Sequence, residues 1–395
     1  MEKRLVRGKR VYGRVGLRPV FGATFLFSLH YFFVLYINST YISKAVSTET
    51  LGVLYIMGAA LTIVLFVWTP HLLARLGNYQ LLLLFLIFEI IGIAGLAFAQ
   101  SAGALIAFFI LHQAIPPLML FSLDIFVEHA TKNAVTGHIR SYYNTIINGT
   151  VVISPLIVGF LLKATALASI YKISLVFLAL FAVIVILKFR HYRDAHYREY
   201  PLATTAKELF VRKKILLIFI ADILLQFFYA TMVIYMPLYL SQTIGFSWRD
   251  IGIIFGIMLL PFILDEIPLG AAADRWIGEK EILIAGFAIA AVSTLLIPYL
   301  GAKSIAAWAM LLFATRVGAS FIEIAAETYF FKQLSDGDSQ LISVFRMAIP
   351  LSYIFAPLAA SVILIYGNMT HVFTMLGLAM VLGFLLSLKL VDTQP

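Results

Sequence analysis

Twelve apolar stretches, each about 20 residues or longer, make up most of this chain and leave it few ways to fold. They run roughly 19–41, 50–73, 79–99, 102–127, 140–162, 168–188, 214–240, 250–272, 281–300, 304–330, 340–366 and 369–391. Crossing about 30 Å of hydrocarbon takes about 20 apolar residues as helix. A helix also satisfies its own backbone polar groups, as any segment in lipid must. Strands of a membrane β-barrel would be about 10 residues long with alternating polarity, and these runs are neither. The chain is 62% apolar and 12% charged, with about half the charge of soluble domains. It has too little polar surface to cover itself in water. The expectation is an all-α polytopic membrane protein with twelve transmembrane helices.

The basic residues predict its orientation. With the N-terminus inside, 22 of the 29 Lys and Arg fall in cytoplasmic segments, including seven before Pro19 and eight from Lys188 to Lys214. The outer segments hold five: Lys44, Lys163, Lys172, Arg249 and Lys303. Positive charge accumulates on the cytoplasmic side, so both termini are expected in the cytoplasm, with the protein multi-pass in the plasma (inner) membrane. Tyr41, Tyr239, Trp248, Tyr299 and Trp308 then stand at outer interfaces, which suit amphipathic rings. The net charge of +9 reads as a topology signal and as attraction to anionic lipid, with no nucleic-acid partner expected. The first apolar stretch is too long for a signal-peptide core and is expected to stay as a helix. The absence of cysteine excludes disulfides and thiolate metal sites.

The longest polar segment divides the chain into like halves. Residues 1–18 form a basic cytoplasmic N-terminus, 19–188 a first six-helix bundle, 189–213 a cytoplasmic linker and 214–391 a second bundle. Ser47 matches Ser247 and Gly52 matches Gly252, each 200 positions apart. Asp124 and Glu128 end the fourth stretch as Glu323 and Glu327 end the tenth, each pair at i, i+4 on one helical face. Arg140 and Arg346 open the stretches that follow, and Ser154-Pro155 is echoed by Ala356-Pro357.

Between the eighth and ninth stretches lies Gly270-Ala-Ala-Ala-Asp274-Arg275-Trp-Ile-Gly278-Glu-Lys280, with a reduced copy at Arg75-Leu76-Gly77 in which Ala74 stands in place of the acid. A charged turn of this kind, once per half, resembles the signature loop of the major facilitator superfamily, and the resemblance covers about residues 19–391. It implies two parallel six-helix repeats related by an axis along the membrane normal, alternating access, and a cavity lined by helices 1, 4, 7 and 10. It also implies a cytoplasmic gate. Gly270 would permit close helix contact and Gly278 a tight turn. Arg275 would reach Glu327 or Glu323, and Asp274 would face the start of helix 11. Arg75, Asp124, Glu128, Arg140 and Arg346 belong to the same candidate gate. In the fifth stretch Pro155 and Gly159 fit a second family pattern associated with proton-exchanging exporters, with Ser154 replacing its first glycine.

Charged groups within spans are costly to bury, at least about 2.5–3.5 kcal/mol each on insertion scales, and therefore mark candidate sites. Asp222, Gln226 and Tyr229 form one stripe on the seventh stretch, and Arg316, Ser320, Glu323 and Glu327 another on the tenth. His112 and Gln113 precede Pro116-Pro117, where a broken backbone would expose carbonyls. The first stretch offers His30, Tyr31 and Asn38. The candidate substrate and proton pathway is thus Asp222, Gln226, Tyr229, Arg316, Glu323, His30, His112 and Gln113. Glu89, in the middle of the third stretch, is expected to be protonated or paired with a neighbouring helix. Asp265 and Glu266 are adjacent, so they face different directions.

No Gly-x-x-x-x-Gly-Lys-Ser/Thr, His-Glu-x-x-His or Gly-x-Ser-x-Gly sequence occurs, which argues against an ATP-driven pump, a zinc enzyme or a serine hydrolase. No cofactor is expected. The reading is a monomeric secondary transporter of a small organic solute, exporting it against protons. Uptake of a sugar, organic acid or peptide is the alternative, and a receptor or membrane-embedded enzyme on the same scaffold is the competing class.

Overall fold

A computed structural model describes residues 16–130, 136–192, 211–264, 278–333, 341 and 345–390; side chains of 128–130 and 136–141 are not described. Eleven helices in it are long and apolar enough to cross a membrane. In chain order the elements are α1 (Leu17–Leu35), α2 (Thr48–Leu76), α3 (Asn78–Phe98), α4 (Ala102–Ala114, continuing as Pro116–Ala130), α5 (Thr136–Leu161) and α6 (Leu167–Ile184, continuing as Val185–Phe189). They are followed by α7 (Lys213–Leu238, continuing as Tyr239–Thr243), α8 (Trp248–Met258, continuing as Pro261–Leu264), α9 (Glu279–Leu296), α10 (Ile305–Lys332), α11 (Ala348–Tyr366) and α12 (Met369–Ser387). The eighth stretch is described only to Leu264, which is why it is missing from the eleven.

Helix starts are written into the sequence. Serine hydroxyls accept from backbone N–H groups at the starts of α2 (Ser47), α4 (Ser101), α8 (Ser247) and α10 (Ser304), satisfying donors that the first turn leaves orphaned. Asn368 caps α12 likewise. Because the helices alternate in direction, these caps share one end of the bundle, called here the Ser47 end. At the opposite end, the Gly77 end, Gly77 joins α2 to α3 at φ 79°, a left-handed conformation that favours glycine. Gly278, expected to permit a tight turn, has φ −59°, which any residue adopts. The special backbone therefore belongs to the reduced copy of the loop.

Each half packs by the same plan: α1 lies on α5 and α6, and α7 on α11 and α12. The halves meet through α2 with α11 and through α5 with α8, and both crossings depend on glycine. A methyl group at Gly252 would stand 2.6 Å from the Pro155 carbonyl oxygen and 2.9 Å from Gly159 Cα. At the matching Gly52 it would stand 2.7 Å from Ser361 Oγ and 3.5 Å from the Pro357 carbonyl oxygen. Small residues let helices approach closely where lipid offers no hydrophobic drive to pack them. The outward faces carry Trp68, Phe88, Leu180, Val292, Val362 and Leu382, all exposed, as lipid contact requires.

Candidate functional site

The polar residues within the spans form two groups, one in each half. In the second half they make a ladder. Nearest the Ser47 end is Arg316, 2% exposed. Its guanidinium lies over the rings of Phe228 and Tyr229, at 5.2 and 5.3 Å from their centroids. Among the described residues its Nε has no partner and no carboxylate lies within ion-pair distance. Tyr36 of α1 and Tyr353 of α11 stand within its electrostatic range. One step along, the Tyr229 hydroxyl donates to Glu323 Oε2 at 2.8 Å. Next comes Asp222, which accepts from Gln226 Nε2 at 3.3 Å. Glu327 receives a hydrogen bond from Arg346 at 2.9 Å, with 38% and 45% of these side chains exposed. Asp124 of α4 lies within electrostatic range of Arg346, so the first half reaches this last rung. Asp222 and Arg316 do not form an ion pair, since Tyr229 and Glu323 stand between them.

The stripe spacing explains the local part of this ladder. Asp222 and Gln226 are i, i+4 neighbours, which meet on a helix face. Glu323 and Tyr229 are 94 positions apart and meet only because α7 packs against α10.

In the first half, His30, Glu89 and His112 converge from α1, α3 and α4. Glu89 Oε1 accepts from His112 Nδ1 at 2.6 Å and from His30 Nε2 at 3.0 Å. The three side chains are 0%, 0% and 1% exposed. Ser174 of α6 places its Oγ 2.8 Å from His30 Nδ1 and 2.8 Å from the His30 carbonyl oxygen. Among the described residues this is the His/Asp/Glu group compact enough to hold a metal ion, with donor atoms within 4.8 Å of one another, but its short contacts are direct hydrogen bonds. Glu89 is therefore paired, as one of the two expectations had it. The main packing partners of α3 among the described residues are α2, α4 and α6 of its own half, and this carboxyl points inward to two of the expected cavity helices.

His112 and Gln113 lie where α4 passes its two prolines. The chain continues through Ile115 in a near-helical conformation, so the expected break is only a local loss of bonds. Pro116 and Pro117 have no N–H to offer the carbonyls one turn back. The Ala114 carbonyl is supplied from outside, by Thr62 Oγ1 at 3.4 Å. Gln113 lines a partly open pocket with Tyr31, Tyr55, Thr62, Pro350 and Tyr353 among its walls. This pocket straddles the halves. Tyr55 and Tyr353 were not singled out from sequence, because α2 and α11 lie outside the four helices the resemblance assigns to the cavity.

Of the remaining candidates, Arg75 lies exposed in the last turn of α2. Gly270, Asp274 and Arg275, with Asp265 and Glu266, lie outside the described residues, as do the side chains of Glu128 and Arg140.

A bundle of lipid-facing helices in two like halves, with charged ladders and a pocket where they meet, defines a multi-pass membrane transporter. The family model of the Major Facilitator Superfamily matches residues 20–264 and 249–395, and the chain belongs to that superfamily. Its fold and family are those of transporters, not enzymes. No curated protein matches the sequence. The fold is similar to that of the POT family transporter PepTSo, at 12% identity over 94% of this chain and 96% of that one, with a TM-score of 0.78. It is also similar to a POT family transporter in complex with 5-aminolevulinic acid, at 13% identity, 94% and 95% coverage and a TM-score of 0.77. An auto-inhibited POT family peptide transporter matches at 11% identity over 96% of this chain and 98% of that one, with a TM-score of 0.74.

Proposed function

We propose that the protein is a proton-coupled secondary transporter working by alternating access, and that its solute is a small organic molecule carrying a carboxylate. The observation that carries the solute class is Arg316, a buried guanidinium on an aromatic shelf with no carboxylate in ion-pair distance among the described residues. Burying an unpaired cation in a bilayer-spanning core is costly, and a substrate carboxylate would relieve that cost. The pocket between Tyr31, Tyr55 and Tyr353 would take the rest of an amphipathic or aromatic solute. Both termini lie in the cytoplasm in this reading, which makes the Ser47 end the outside. The glycine–proline crossings then close the outer side, while the partly exposed Glu327–Arg346 pair marks the cytoplasmic mouth.

Proton symport is the direction we infer. A carboxylate entering a cell works against an inside-negative potential, and accompanying protons offset its charge. Peptides and 5-aminolevulinic acid, associated with similar POT family transporters, both carry a carboxylate; at that identity the likeness itself supports only the fold. Export in exchange for protons is the second reading, and the Pro155–Gly159 pattern favours it. That pattern also builds the α5–α8 crossing, which α2–α11 repeats with Gly52 and Pro357.

A thermal-shift screen of the purified protein across drugs, sugars, amino acids, nucleosides and short peptides finds the solute, and proteoliposomes with an imposed pH gradient measure its flux. Carboxylate-bearing hits that vanish in Arg316→Ala are the expected result. Binding confined to neutral or cationic compounds, unchanged in Arg316→Ala, rules the reading out.

A further inference from the structure

The first-half cluster has a distinctive property: the hydrogen bonds of His30 can be completed in either of two protonation states without moving a heavy atom. Ser174 Oγ is equidistant, at 2.8 Å, from His30 Nδ1 and the His30 carbonyl oxygen. With His30 neutral, its Nε2–H donates to Glu89 and the Ser174 hydroxyl donates to Nδ1. When a proton joins Nδ1, the hydroxyl turns to the carbonyl and accepts from the new N–H. The Ser174 backbone carbonyl, 3.3 Å from Nδ1, is a second acceptor for it. One N–H bond forms, none breaks, and the cluster passes from a net charge of −1 to zero.

We infer that His30, Glu89, His112 and Ser174 form a reversible proton-binding site in the first half, separate from Asp222 and from the solute carboxylate at Arg316. This assignment rests on the transport reading above and supplies its coupling ion with a location. The site lies near the middle of α3, where water is scarce and a net charge is most costly, so loading one proton changes the energy of the surrounding helices. Those helices are α1, α3, α4 and α6. His30 adjoins Tyr31, and His112 adjoins Gln113, both in the wall of the pocket between the halves. Gly92 brings α3 close enough for the pairing: a methyl there would stand 3.3 Å from the His112 backbone nitrogen.

Among the described residues of α1 to α6, Tyr31 is the further titratable side chain within electrostatic range of Glu89. Tyr55 neighbours Tyr31 and Tyr171 neighbours Tyr55. A purely structural polar knot would have every member satisfied, whereas Glu89 Oε2 and His112 Nε2 have no partner among the described residues.

The test is ¹⁵N-histidine NMR of the full-length protein in nanodiscs across pH. The His30 and His112 signals are assigned from His30→Gln and His112→Gln, and proton uptake is counted in parallel with an indicator dye. The expected result is a His30 signal that titrates in wild type and is lost in Glu89→Gln, with wild type taking up one proton per molecule more than that variant over the same pH range. Ser174→Ala keeps all three ionisable groups and is expected to move the midpoint by about half a pH unit or more. Thermal unfolding checks that each variant is folded; if Glu89→Gln is not, Ser174→Ala decides. A His30 signal fixed across pH in folded protein overturns the assignment, as does a midpoint unmoved in Ser174→Ala. One equivalent of Zn²⁺ or Ni²⁺ bound in wild type and lost in His30→Gln would make the cluster a metal site instead. Proton titration without solute flux refutes the transport reading alone, and flux without titration refutes this one alone.

Discussion

Gly252→Ala should loosen the Ser47 end of the protein, where α5 and α8 are in backbone contact. The added methyl would stand 2.6 Å from the Pro155 carbonyl oxygen and 2.9 Å from Gly159 Cα. Both are backbone atoms, so α5 and α8 must separate. Overpacking of this kind costs about 1–3 kcal/mol, which shifts a two-state equilibrium about 5- to 150-fold away from the shut conformation. At the matching Gly52 the close atom is Ser361 Oγ, which can rotate aside, and the next contacts are at 3.5 Å. Gly52→Ala should therefore shift the equilibrium less than about fivefold. The chain has no cysteine, so a single Ser154→Cys, at a position 0% exposed, reports access with no background. Its labelling by a membrane-impermeant maleimide from the Ser47 side should rise strongly with Gly252→Ala and little with Gly52→Ala. Equal effects of the two substitutions, or unchanged labelling in a normally inserted Gly252→Ala protein, would refute the idea that backbone contact at this crossing holds the end closed.

Three further outcomes follow from particular contacts. Tyr229→Phe and Glu323→Gln should each destabilise the protein by about 1–2 kcal/mol in denaturant melts. The double variant should cost less than the two single changes added together, because Tyr229→Phe removes the 2.8 Å hydrogen bond that Glu323→Gln only weakens from charge-assisted to neutral. Glu327→Gln should change stability by less than about 1 kcal/mol, since its pair with Arg346 is partly exposed, yet alter the rate of solute turnover; a large loss of stability with normal turnover would make the pair structural. Reporter fusions after Lys214 and after Leu390 should both report cytoplasm and a fusion at Gly245 the outside, and any two of these on unexpected sides would overturn the orientation.

Much of the architecture is present in the sequence because lipid leaves a backbone little choice. A 20-residue apolar run has to be a helix, so the number and order of spans follow from counting. The duplication was equally readable: Ser47 and Ser247 both cap helices, and Gly52 and Gly252 both face a proline of the other half. The Asp222–Gln226 bond follows from helical spacing alone. The loop from Gly270 to Lys280 identified the superfamily, although most of it lies outside the described residues.

What the sequence could not give is the rotation of each helix about its axis. In a soluble protein the apolar stripe shows which face turns inward, but in a bilayer the outside of the bundle is as apolar as its core. Glu89 illustrates the consequence. From its position on α3 it reads as a peripheral acid seeking a partner, and only packing against α1 and α4 delivers two histidines to it, 59 and 23 positions away. Tyr353 and Tyr55 enter the pocket wall for the same reason, as does Arg316 its aromatic shelf. Which helices exist is a local question of solvent and backbone; which polar groups share a site depends on how those helices are turned, and lipid removes the sequence signal that would reveal it.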